Sequence, residues 1–314
     1  MIFMRTAAKA ALARLASRTG FLRSRLAGRL VVLTFHRVRP DGEPADGRPM
    51  RNLEVPVSAF RDLLRWMRRR ADPVALSDWF PGEDGTAADG RATVLPAHPR
   101  RLPCFAVTFD DGWADNATYA APVLEELRIP ATIFLSTGAV ENRIPFWWQL
   151  PGLADAEIEA MKALSPDELD RRVRSAPAGV RKACGREFLD WEQVRDLATG
   201  GLIRFGLHGH RHALMTSLSH TAALDDICRC RTLLLSRAPE AYCPFFAWPN
   251  GNVREDLTSA LASLGLRAAF STRRGRVGGR TADGGRWALP RNNVDRHLAE
   301  TPALWPWLLV RAAF

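Results

Sequence analysis

Lysine is nearly missing from this chain: Lys9, Lys162 and Lys182 are three of its 44 basic side chains, and the rest are arginine. A bias spread over the whole sequence singles out no ligand. No stretch approaches the eighteen or so consecutive apolar residues that span a bilayer, which excludes a transmembrane helix. The N-terminus lacks the unbroken apolar core of a secretory signal, because arginine interrupts its leucines every few positions, so cytoplasmic residence is expected. Cysteine is sparse. Its five copies (Cys104, Cys184, Cys228, Cys230, Cys243) are odd in number and include no C-x-x-C pair, which argues against a zinc ribbon or a disulfide framework. Acidic residues are absent from positions 1–30, which hold seven basic ones; the other 284 residues carry 37 basic and 34 acidic side chains, so only +3 of the net +10 belongs to them. A nucleic-acid binder would show a basic stripe across its folded surface, and no nucleic-acid partner is expected.

What is present is an enzyme-sized chain of 314 residues, 46% hydrophobic, able to bury a large core. Residues 1–28 form a basic arm in which Leu12, Leu15, Leu22 and Leu26 alternate with arginine. That pattern suits an amphipathic helix on an anionic membrane surface at the inner face, with packing on the domain or a loose arm as the alternatives. Residues 29–314 read as one domain. Short apolar runs at Leu30–Phe35, Cys104–Phe109, Ala131–Leu135, Leu202–Gly206, Pro244–Trp248 and Arg267–Ser271 have the character of strands buried on both faces. Helical spacing over Val57–Arg70, Asn116–Leu127, Trp191–Thr199, Leu218–Ser236 and Val253–Leu264 separates them. Strand and helix in alternation predict a parallel α/β barrel, interrupted by an exposed loop at Pro81–Arg101 and an insertion at about 140–190 that opens with Phe146-Trp147-Trp148.

The residues that carry chemistry sit at strand ends. Thr108-Phe109-Asp110-Asp111-Gly112 puts two adjacent carboxylates at the mouth of such a barrel, where they repel and a cation is expected; an Asx turn capping the next helix is the plain alternative. Gly206-Leu-His208-Gly-His210-Arg-His212 follows another predicted strand. His208 and His212, four apart, face one metal if the segment is helical, and His210 then points elsewhere; a solvated histidine cluster is the alternative. Phe246-Ala-Trp-Pro249-Asn250-Gly251 is a turn whose backbone N–H groups can hold an oxyanion, although Pro-Asn-Gly is also an ordinary turn. His36, taken alone, reads as structural. Arg291 offers a cation for a carboxylate, in a chain where most arginines are solvated. One Asp and two His at chelating spacing, with a spare Asp beside them, read as metal-assisted hydrolysis.

Taken together, these blocks resemble the polysaccharide deacetylase family, the family-four carbohydrate esterases, from about Val31 to about Val294. The resemblance implies a distorted (β/α)7-type barrel and an N-deacetylase that hydrolyses a non-peptide carbon–nitrogen bond. It implies Asp110 as general base, and Asp111, His208 and His212 as ligands of a divalent metal, usually zinc. Three departures stand out. Gly209 replaces the hydroxyl residue of the H-S/T-x-x-H block, Ala247 replaces the Arg of R-x-P-Y-G, and Asn250 replaces the Tyr whose backbone N–H completes the oxyanion hole. Asn250 can keep that role through its backbone, and Arg291 is the candidate replacement for the missing Arg as partner of Asp110. The late Leu-x-x-His block has its likeness in Leu33-Thr-Phe-His36, as in circularly permuted members, which makes His36 the candidate general acid. The implied substrate is an N-acetylated sugar, most often in a polysaccharide; because no secretion signal is visible, a lipid-linked glycan at the inner membrane face fits better than mature cell wall. Trp148 and Trp248 are candidates for stacking on it, and core packing is their alternative. A deacylase on another amide and a catalytically silent glycan-binding relative are the competing readings.

Overall fold

The computed structural model of the protein describes residues 11, 21–43, 50–80, 103–278 and 285–313. The loop expected at 81–101 lies outside these residues, as do Leu12 and Leu15 of the arm.

Ten strands are present among the described residues: β1 (Leu30–Phe35), β2 (Arg37–Arg39), β3 (Glu54–Pro56), β4 (Asp72–Pro73), β5 (Cys104–Phe109), β6 (Ala131–Leu135), β7 (Ile203–Leu207), β8 (Tyr242–Ala247), β9 (Ala268–Phe270) and β10 (Asn292–Asn293). Eight form one parallel sheet in the order β10-β1-β5-β6-β7-β8-β9, with β4 on β5; β2 and β3 pair separately. The segment after β9 brings the two ends of this path towards each other. Leu289 bridges Phe270 of β9, and Asn292 a few residues later pairs with β1. The architecture is the α/β barrel expected, distorted and with seven strands on its main path.

Side-chain parity explains how one set of strands builds both a core and a site, because alternate residues of a strand face opposite sides of the sheet. Val31, Leu33 and Phe35 of β1 and Phe105, Val107 and Phe109 of β5 face outward onto the helices, joining Phe60, Leu63, Leu64 and Met67 of the helix Val57–Arg68. Leu30 and Val32, with Cys104 and Ala106, face the lumen with Phe134, Phe245, Ala247 and Phe270. The same parity carried to the strand ends turns Thr34 then His36, and Thr108 then Asp110, toward the mouth.

The helices fall close to the expected spans, at Val57–Arg68, Trp191–Thr199 and His220–Arg237. Two are shorter than their periodicity predicts. Asn116–Ala120 opens as a π turn before the α-helix Ala121–Leu127, and Glu255–Leu257 is a 3-10 turn before Thr258–Ser263. The insertion contains short helices at Asp155–Met161, Pro166–Ser175 and Ala178–Gly185; the second is capped by Ser165, whose side chain accepts from the Glu168 N–H. At the base, the helix Phe21–Leu26 buries Leu22 and Leu26 in the main core beside the C-terminal helix Trp305–Ala313. Those two leucines of the arm are therefore core residues. No helix of the described residues is long and apolar enough to cross a membrane.

Candidate active site

Asp110 follows β5 and is 3% exposed. Its carboxylate accepts two parallel hydrogen bonds from Arg291, Nη1 to Oδ1 at 2.6 Å and Nη2 to Oδ2 at 2.8 Å, and the Arg291 Nε donates to the Ser271 carbonyl at 3.0 Å. This is the fork-to-carboxylate geometry that only a guanidinium offers. Burial alone would push the Asp110 carboxyl up, but the Arg291 charge and hydrogen bonds outweigh it and hold the group below the ordinary carboxylate value.

By strand parity the next residue, Asp111, would turn away from the mouth. Its backbone instead takes φ 78, left-handed and uncommon for a residue other than glycine, which brings consecutive carboxylates to the same site. Asp111 Oδ2 accepts from the indole N–H of Trp113 at 2.9 Å. Asp111 Oδ1 is buried without a hydrogen-bond donor and lies 3.1 Å from His212 Nε2 and 3.5 Å from His208 Nε2. Burial would raise this carboxyl too, and the His212 imidazole beside it holds it far below the ordinary range.

His208 leaves β7 into the mouth. Its Nδ1 lies 2.8 Å from the carbonyl oxygen of Ala247, which can only accept, so the proton belongs on Nδ1 and Nε2 carries the lone pair. Burial drives the imidazole down to about 4, so it is neutral near pH 7. The segment from His208 to His212 is not helical, and the expectation that i, i+4 helical spacing brings the two rings together is corrected. A loop does it, with Gly209 at φ 79 and His212 at φ 53, placing the ring centroids 4.8 Å apart. The loop is held by Asp226, a buried carboxylate on the helix His220–Arg237, which accepts from the N–H groups of His210 at 2.6 Å and Arg211 at 3.2 Å. A Cβ at position 209 would come within 2.8 Å of Asp226 Oδ2, so glycine is required there and the carboxylate stands where a side-chain hydroxyl is absent. His210 turns away to the Thr137 hydroxyl at 3.0 Å.

The ligand atoms of Asp111, His208 and His212 lie within 4.8 Å of one another and form the group of described residues able to hold a metal ion. One carboxylate oxygen and two imidazole nitrogens, with the carboxylate oxygen buried and lacking a donor, fit a divalent cation of borderline softness. His36 is partly exposed at the end of β1. The register that pairs Phe35 with Phe109 sets it level with Asp110, its carbonyl accepts from Asn116 Nδ2, and its Nδ1 is buried without a partner. Asn250 takes φ 57 in the turn Pro249–Gly251, and its side-chain oxygen accepts from Lys162 at 2.9 Å. Thr34, His36, Asp110, Asp111, His208, His212, Asn250 and Arg291 line one cavity of about 350 Å³, walled on the far side by Trp147, Trp148, Ile158 and Leu164 of the insertion.

Of the two candidate aromatics, Trp148 is at this cavity, 4.4 Å from the Phe146 ring and 4.6 Å from the His212 ring. Trp248 is not. It is fully buried, packs on Phe246 and donates its N–H to the Trp287 carbonyl at 2.7 Å, so its expected role as a substrate contact is corrected to that of a core residue. Trp113, Asp226 and Lys162 touch the site residues and were not signalled by the motifs. Trp113 directly follows the Asp-Asp-Gly block, the one cue the sequence offers for it.

The profile described as polysaccharide deacetylase matches residues 98–269, more than half of the chain. This chain belongs to the polysaccharide deacetylase family and is a hydrolase of carbon–nitrogen bonds other than peptide bonds. Among solved structures it is similar in fold to the Streptococcus pyogenes deacetylase PplD in complex with acetate (17% identity, TM-score 0.61, covering 91% of this chain and 98% of that one). It is likewise similar to IcaB from Ammonifex degensii (20% identity, TM-score 0.56, 91% and 98%). The deacetylase domain of BpsB from Bordetella bronchiseptica shows the same fold (19% identity, TM-score 0.53, 86% and 97%). No curated protein sequence matches this chain.

Proposed function

We propose that this protein is a metal-dependent N-deacetylase that removes acetyl groups from an N-acetylated sugar in a polysaccharide or lipid-linked glycan. The observation that carries this reading is the division of labour between adjacent carboxylates: Arg291 holds Asp110 apart while Asp111 faces His208 and His212. Asp111, His208 and His212 would hold the cation, zinc by the character of the donor set. When bound, it supplies a Lewis acid that polarises the acyl carbonyl and lowers the pKa of water at the site.

The residues then have distinct tasks. Asp110 accepts the proton of the attacking water, and Arg291 keeps that carboxylate ionised and oriented. The Asn250 backbone N–H donates to the carbonyl oxygen as negative charge grows on it. His36 protonates the departing amine, leaving acetate and a free amino sugar. Trp148 offers an aromatic face for a pyranose ring. The basic residues 1–20 supply a peripheral contact with an anionic membrane, which suits a cytoplasmic enzyme acting on a membrane-bound glycan.

The test is acetate release by the metal-loaded protein from N-acetylated oligosaccharides and lipid-linked N-acetyl sugars, for the wild type and Asp110→Asn. The variant is expected to lose about 10²- to 10⁴-fold in turnover, the usual worth of a positioned base, with its metal retained. A metal-loaded Asp110→Asn enzyme of normal rate would overturn the assignment.

A further inference from the structure

We infer that Trp113 is a positioning residue for the metal centre, presenting Asp111 to the cation through one oxygen and only one. The inference rests on the reading that Asp111, His208 and His212 hold a divalent metal. The Trp113 N–H to Asp111 Oδ2 bond, 2.9 Å long, ties up one carboxylate oxygen. The other, Oδ1, has no donor and is the atom that faces both histidines. Indole N–H is a donor and never an acceptor or ligand, so it can orient the carboxylate without competing for the cation. Partners of this kind that fix the orientation of a ligating group are worth 10- to 100-fold in metal affinity.

The indole itself has little freedom to move. It is 4% exposed, lies 4.8 Å from the Phe188 ring in a stacked arrangement, and meets Phe146 edge-on at 5.8 Å. The Arg37 guanidinium sits 4.3 Å from its ring centroid and is itself anchored by Asp115 at 2.7 Å and Glu187 at 2.6 Å. Phe146, Phe188 and Glu187 all belong to the insertion. That segment therefore reaches past the wall of the cavity and sets the orientation of a ligand on the barrel strand.

The experiment uses the full chain and measures the dissociation constant for Zn²⁺ by chelator competition, together with the visible absorption of the Co²⁺-loaded protein, which reports coordination number. Trp113→Phe keeps the apolar packing and removes the N–H. A replacement of the Trp113 indole by benzothiophene keeps the shape as well, and so separates the hydrogen bond from the volume should the phenylalanine variant fold poorly. Both are expected to bind Zn²⁺ at least 10-fold more weakly and to show an altered Co²⁺ spectrum, as a freed carboxylate can engage through both oxygens. Wild-type affinity and spectrum in both variants would overturn the inference, as would a loss confined to the phenylalanine variant. A wild-type protein that binds no divalent metal would instead overturn the metal-site reading on which the inference stands.

Discussion

Arg291 and Asp110 form a buried, bidentate pair that no second carboxylate shares among the described residues, and its removal is informative in two ways. Arg291→Met leaves a charge-bearing group 3% exposed without its counter-ion, which should destabilise the fold by about 3–5 kcal/mol. For a chain of 314 residues that is a fall in Tm of roughly 5–8 °C. The pH dependence follows from the direction of the shift. With Arg291 present the folded-state value lies below the unfolded one, so the stabilisation from Asp110 is fully present above about pH 4 and is lost only as pH falls through the lowered folded value. Without Arg291 the largest remaining influence is burial, which favours the neutral acid against the weaker pull of His208 and His36. The acidic limb of the kcat/KM profile should then move to higher pH, measured as acetate release across pH 4–8. An unmoved limb would separate Asp110 from the proton transfer.

At the scale of elements, the insertion and the turn Pro249–Gly251 meet in the Lys162 to Asn250 contact. Lys162→Met cuts it without touching the barrel core. The partly exposed bond is worth about 0.5–1.5 kcal/mol, so KM is expected to rise roughly 2- to 10-fold while kcat stays within about twofold. A kcat that falls in step with KM would mean that the contact shapes the reacting geometry as well as the wall. The turn itself tolerates no side chain at Gly251, where φ is 77 and a Cβ would lie 2.0 Å from the Thr272 hydroxyl.

Much of this scale was legible in the sequence. Runs such as LVVLTF and CFAVTF are apolar on both faces and β-branched, and only a strand sandwiched between lumen and helices uses that pattern. The two carboxylates and the two histidines could be placed at strand ends for the same reason, whereas Arg291 stood out only as a substitute for the Arg missing at Ala247. Other features left no periodic trace. β10 is two residues long, Asn292–Asn293, and carries no apolar signal. The meeting of His208 with His212 depends on left-handed backbone and on Asp226 from a distant helix, neither of which a four-residue spacing encodes. Trp248 misled because an indole beside a motif looks the same in sequence whether it faces ligand or core.

For the molecule as a whole, the charge asymmetry and the base of the barrel belong together. Leu22 and Leu26 are buried in the core beside the C-terminal helix, so a truncation that spares them stops before residue 21. A protein lacking residues 1–20 is expected to keep its Tm within a few degrees and to lose binding to anionic vesicles in a flotation assay. A protein lacking residues 1–28 also strips two buried leucines and should be destabilised by about 4 kcal/mol or more, since each such side chain is worth about 2–5 kcal/mol in a core. Equal flotation with and without residues 1–20 would remove the membrane contact from the reading.

Arg291 lies 181 positions after the carboxylate it grips, just before the strand β10 that docks on β1. A chain emerging from the ribosome has its carboxylate, both histidines and most of its sheet before that arginine is made. Until then Asp110, once buried, lacks the guanidinium whose charge and hydrogen bonds outweigh the upward push of burial on its carboxyl. The ion pair that holds this carboxylate in its charged form is therefore completed only as the last strand of the sheet is laid down.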